Sequence, residues 1–91
     1  IPDSVTMIGF AAFENCSNLT SITIPDGVTS IGEGTFAMGE SLTAVTFLGN
    51  APKAGERVFF DSFPTIYRKP EAKGWGDTFA GRPVKLISEK P

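Results

Sequence analysis

Residues 19–24 read LTSITI and residues 42–47 read LTAVTF. In each stretch the last two apolar positions are two apart, with threonine between them. Side chains two apart share one face of a strand. Ile22 with Ile24, and Val45 with Phe47, therefore predict two short strands, each with one buried face. Threonine and valine suit the extended backbone. Pro25 ends the first strand by withholding a donor, and Asp26-Gly27 is turn chemistry. VTSI, residues 28–31, predicts a second and shorter extended piece, after which Gly32 lets the chain turn. EGTFAMG, residues 33–39, is too short and glycine-rich for a free helix. A single helical turn is expected there, dropping Phe36 into the core.

This pattern is written twice. Residues 1–23 (IPDSVTMIGFAAFENCSNLTSIT) and 24–46 (IPDGVTSIGEGTFAMGESLTAVT) are identical at 11 positions, and Ile22 is matched by Val45. A period of 20–29 residues with recurring aliphatics is the mark of a leucine-rich solenoid. Stacking would bury the apolar side that one repeat cannot bury alone. A third, decayed repeat follows, with Phe47 where Ile24 would return, Gly55 for Gly32 and Phe59 for Phe36. Pro70 comes one position early against Pro25, so this repeat is expected to be shorter than the others by a single residue.

The C-terminal third changes style. GNAPKAG, residues 49–55, reads as a loop, and TIYRK, residues 65–69, as a third strand stopped by Pro70. Asp77 is a good N-cap for a helical turn at TFA, residues 78–80, with Gly81 as its stop. VKLI, residues 84–87, alternates and predicts a last strand. A stacked array needs an end cap, and Phe59, Phe60, Phe63, Trp75, Phe79, Leu86 and Ile87 supply apolar side chains for one. The tail at residues 88–91 is expected to fray.

The stretch IPDGVTSIGEGTF with SLTAVTF resembles the BspA-type (treponemal-type) leucine-rich repeats of bacterial surface proteins, closely over residues 1–46. The tail TIYRKPEAKGWGDTFAGRPVKLI is similar to the segment that closes the last repeat in such proteins. The resemblance implies a right-handed β/α solenoid of short strands and single helical turns. It would comprise two full repeats (1–46), a degenerate third (47–69) and a C-terminal cap with tail (70–91). It also implies a secreted or surface-displayed bacterial protein that adheres to proteins, cells or host matrix. The first repeat starts mid-pattern at Ile1, so the chain is expected to be the C-terminal piece of a longer array. Its N-terminal face would then be exposed and open to self-association.

Composition narrows the chemistry. There is no histidine, which removes Ser-His-Asp, Cys-His and histidine-based metal sites. The single cysteine, Cys16, excludes an internal disulfide and a cysteine zinc cluster; it reads as a core thiol. A net charge of -2 and scattered basic residues argue against nucleic acid as partner. No apolar run nears the roughly 20 residues that span a membrane, and no stretch reads as a signal peptide. Asp3 and Asp26 share a repeat position, which would put them about 5 Å apart if strands stack; each reads as a residue that hydrogen-bonds its own turn. Asn15 and Asn18 fit the glycosylation sequon and read as polar turn residues. The glycine pairs GEG and GWG lack the spacing of a phosphate loop.

No constellation for catalysis or a cofactor emerges. The leading expectation is a non-catalytic binding domain. Its face is the strip of outward strand positions Thr20, Ser21, Thr23, Thr43, Ala44 and Thr46. The strip is flat, uncharged and free of the Trp, Tyr and Arg anchors that hot spots favour, so one repeat would bind weakly and many would have to act together. The alternatives are a structural cap or spacer, and a carbohydrate-binding module that stacks sugars on Tyr67 and Trp75. For Trp75, packing onto the cap is the simpler expectation.

Overall fold

A computed structural model describes residues 4–9, 12–14, 16 and 18–87. The predicted strands form: β1 (Met7–Ile8), β2 (Ser21–Ile24), β3 (Ser30–Ile31), β4 (Ala44–Phe47), β6 (Thr65–Arg68) and β8 (Arg82–Leu86). Two more strands complete the set among the described residues, β5 (Lys53–Ala54) and β7 (Thr78–Phe79). They build one sheet of order β1-β3-β5 and another of order β2-β4-β6-β8-β7. Every pairing is parallel except β7 with β8.

The register follows the repeat. Ser21 lies opposite Ala44 and Ile24 opposite Phe47, while Met7, Ser30 and Lys53 form one row of the smaller sheet. Like therefore stacks on like. The row Ile22–Val45–Ile66–Val84 crosses the large sheet; Val45 and Ile66 are fully buried, and the two end members are half-buried. Ile8 and Ile31 face the same core from the smaller sheet. A third column runs through the turn segments. Phe13, Phe36 and Phe59 stack with ring centroids 5.5 and 5.6 Å apart and planes within 8° and 10°.

Several expectations need correction. No α-helix occurs among the described residues, so the helical turn around Phe36 is instead a run of turns. Its N–H groups explain why. Those of Gly34, Phe36 and Met38 donate to the carbonyls of Glu56, Val58 and Phe60 in the next repeat, while those of Thr35 and Ala37 reach back to Gly32 and Gly34. Donors committed between repeats cannot form the i→i−4 ladder of a helix. Residues 49–55 are not all loop, because β5 pairs with β3 there.

The TFA segment is not a helical turn either. Ala80 (φ 50°) and Gly81 (φ 81°) are both left-handed, as a type I′ turn requires, and they fold β7 back onto β8. The third repeat is also shorter than expected. Thr65 is the partner of Ala44, where a full period would have brought Tyr67, so the strand returns two positions early rather than one. The loss falls after Ser62, whose hydroxyl still bonds the Gly39 carbonyl one full period before it. Only Phe63 and Pro64 then remain before β6.

The aromatic cluster of the cap holds Phe47, Phe59, Trp75 and Phe79, with Trp75 5.0 Å from both Phe47 and Phe79. Phe60 and Phe63, expected in this cluster, are 48% and 76% exposed. Each instead lies beneath an arginine, Phe60 under Arg57 and Phe63 under Arg82.

Candidate functional site

The outer face of the large sheet carries the predicted strip. Its rows are Ser21–Ala44–Thr65 and Thr23–Thr46–Tyr67–Lys85. Thr20, Ser21, Thr23 and Thr43 are exposed, and Ala44 is half-buried. Thr46 keeps the outward register but is only 3% exposed. Its neighbour Tyr67 occupies the same row on β6 and is 7% exposed. The open part of the strip therefore lies over β2 and the start of β4. Sequence reasoning does not place Tyr67 on this face, although the alternation Thr65, Ile66, Tyr67 within a predicted strand carries that signal.

Threonine does more here than favour extended backbone. The Thr43 hydroxyl donates to the Thr20 carbonyl at 3.1 Å, parallel to the backbone bond from Thr43 N–H to the same oxygen. Thr29 does the same to Thr6 at 3.3 Å. The Thr35 hydroxyl shares its one proton between the Gly9 and Gly32 carbonyls, at 3.0 and 2.7 Å. Side-chain hydroxyls thus tie each repeat to the one before it, which holds the exposed rows in register.

The other candidate residues are scattered. Trp75 is half-buried, its ring packed on Phe47 and Phe79 and its indole N–H donating to the Gly49 carbonyl at 3.3 Å. With Tyr67 buried, the outer part of Trp75 is the sole open aromatic surface of that pair. Cys16 is free and half-buried. Asp26 is exposed, whereas its repeat mate Asp3 and the sequon residue Asn15 lie outside the described residues. Among the described residues no three His, Cys, Asp or Glu side chains gather in a way that could hold a metal ion. No described helix is long and apolar enough to cross a membrane.

At the β1–β2 end lies an apolar hollow of about 390 Å³, bordered by Val5, Met7, Ile8, Phe13 and Ile22. Met7 is 68% exposed there. At the opposite end the sheet is finished by the antiparallel β7 and by Arg82 (half-buried), which bonds the last turn segment. The two ends of the stack thus differ, one apolar and open, the other closed by hydrogen bonds.

The family model for the BspA type leucine-rich repeat region, which spans six copies, matches residues 1–68. No curated protein and no solved structure matches the chain.

Proposed function

The chain belongs to the BspA type leucine-rich repeat family, and from that premise we propose that it is a non-catalytic, protein-binding part of a bacterial adhesion protein that is secreted or displayed at the cell surface. Its repeats form a right-handed solenoid, closed at one end by residues 70–91. The family supports a repeat domain for protein interaction. The observation that carries the site is the exposed, uncharged row set of Thr20, Ser21, Thr23 and Thr43, fixed by bonds between repeats. It spans about one and a half strands and holds no aromatic anchor, so each repeat contributes a little and affinity grows with the number of repeats.

Binding of the chain to immobilised extracellular-matrix proteins, measured by biolayer interferometry, tests this reading. A weak signal, with Kd on the order of 10 µM or above, is expected for at least one matrix protein. Introducing Ser21→Arg and Thr23→Arg together, at exposed positions whose side chains take no part in the bonds between repeats, should abolish it and leave the melting temperature unchanged. A signal that survives both substitutions overturns the strand face as the site.

A second reading is supported by the β7–β8 hairpin and Arg82: this chain closes an array and binds nothing. It stands if no matrix protein binds while the fold is intact. The apolar hollow beside Met7 and Phe13 adds an expectation common to both readings, self-association through that end. Light scattering over a dilution series should show a mass that rises with concentration; a constant monomer mass removes it.

A further inference from the structure

The turn segments carry a second surface. A groove of about 230 Å³ is lined by Glu14, Glu33, Ala37, Met38, Arg57 and Phe60, which come from three successive repeats. Its two large apolar members are open, Met38 at 44% and Phe60 at 48% exposed, whereas Ala37 is buried. Glu14 from the first repeat and Glu33 from the second supply its carboxylates, and a Glu14 carboxylate oxygen sits 3.8 Å from where a Cβ would stand on Gly34. From the third repeat, the Arg57 guanidinium lies 5.9 Å from the Phe60 ring centroid.

The backbone beneath this groove is set by the repeat. Gly34 and Arg57, which hold the same place in successive repeats, are both left-handed (φ 67° and 56°), as are Met38 and Asp61 (φ 60° and 54°). Glycine adopts that conformation freely and aspartate tolerates it, whereas a long side chain is strained there. The bare Cα of Gly34 leaves the space that the Glu14 carboxylate overhangs. Met38 and Arg57 hold the same geometry at a cost, and both line the groove.

We propose that this groove receives a lysine or arginine side chain carried in an apolar segment of a partner protein. The cationic head meets the carboxylates of Glu14 and Glu33, neither of which is ion-paired among the described residues. The aliphatic stem lies along Met38 and Phe60, as long basic side chains do on apolar surface. Arg57, from the third repeat, disfavours a second cation beside it. Methionine, aromatic and arginine side chains are those that interfaces favour. This surface is separate from the threonine face and does not depend on it.

The two methionines of the chain supply the test. With ¹³C-methyl methionine, Met38 reports on the groove and Met7 on the apolar hollow at the other site. Titration with the peptide acetyl-Leu-Lys-Leu-amide should shift the Met38 signal and leave Met7 in place. The peptide acetyl-Leu-Glu-Leu-amide should shift neither. Glu14 and Glu33 are exposed, so Glu14→Gln with Glu33→Gln preserves the fold and should weaken the lysine peptide about five- to tenfold. Equal shifts from both peptides, a response at Met7 alone, or no Met38 shift up to about 10 mM peptide would each overturn the proposal, the last because even a site with a Kd of about 1 mM is then saturated.

Discussion

Replacing Phe36 by alanine is expected to cost about 3–5 kcal/mol, the range for deleting a buried phenylalanine. Phe36 is 1% exposed and sits between Phe13 and Phe59 in a column of near-parallel rings. Both neighbours lose a stacked face at once. The stabilities of small proteins, roughly 0.05–0.15 kcal/mol per residue, leave a 91-residue chain little beyond that loss. The midpoint of thermal unfolding by circular dichroism should fall by about 15–30 °C. Phe13→Ala should cost less, because Phe13 is only half-buried and ends the column. An unchanged midpoint for Phe36→Ala would mean that the ring column does not hold the repeats together.

Arg82→Ala is expected to cost about 2–3 kcal/mol, from two charge-assisted hydrogen bonds discounted for partial exposure. Arg82 Nε donates to the Ser62 carbonyl at 2.6 Å and Nη2 to the Phe59 carbonyl at 2.8 Å, while the guanidinium stacks over Phe63 at 4.6 Å. One repeat earlier, the Gly39 carbonyl is satisfied by the Ser62 hydroxyl. Among the described residues no further turn segment supplies such a hydroxyl to Ser62, and Arg82 takes that place. The side chain therefore stands in for the hydroxyl of a stacked turn segment. Lysine lacks the planar fork and cannot reach two carbonyls in fixed geometry, so Arg82→Lys should recover less than half of the loss. Urea unfolding measures both variants; a lysine variant as stable as the parent would show that charge alone, not the fork, closes this end.

Much of the core was readable from the order of residues. The repeat period placed Ile24 on Phe47 and Phe36 on Phe59, and the register and ring stacking follow those pairs. Local alternation found β2, β4, β6 and β8, because a buried strand face leaves a period of two. The same alternation put Thr46 on the open face. Thr46 is buried all the same, in a row where Tyr67 becomes its neighbour only once β6 has paired with β4.

The groove was not legible, since Glu14, Glu33 and Phe60 become neighbours only when three turn segments stack. Nor was the closing hairpin. Gly81 ends a helical turn as readily as it completes a type I′ turn, and the choice goes to the hairpin that lets β8 pair with β6 and lays β7 on its free edge. The missing helix around Phe36 has the same cause. A local reading sees the bonds a segment can make with itself, and those bonds are what period, turn chemistry and side-chain size report. Here the N–H groups of Gly34, Phe36 and Met38 bond the carbonyls of Glu56, Val58 and Phe60, a whole repeat away, and competition between near and distant partners is settled only when the repeats are packed together.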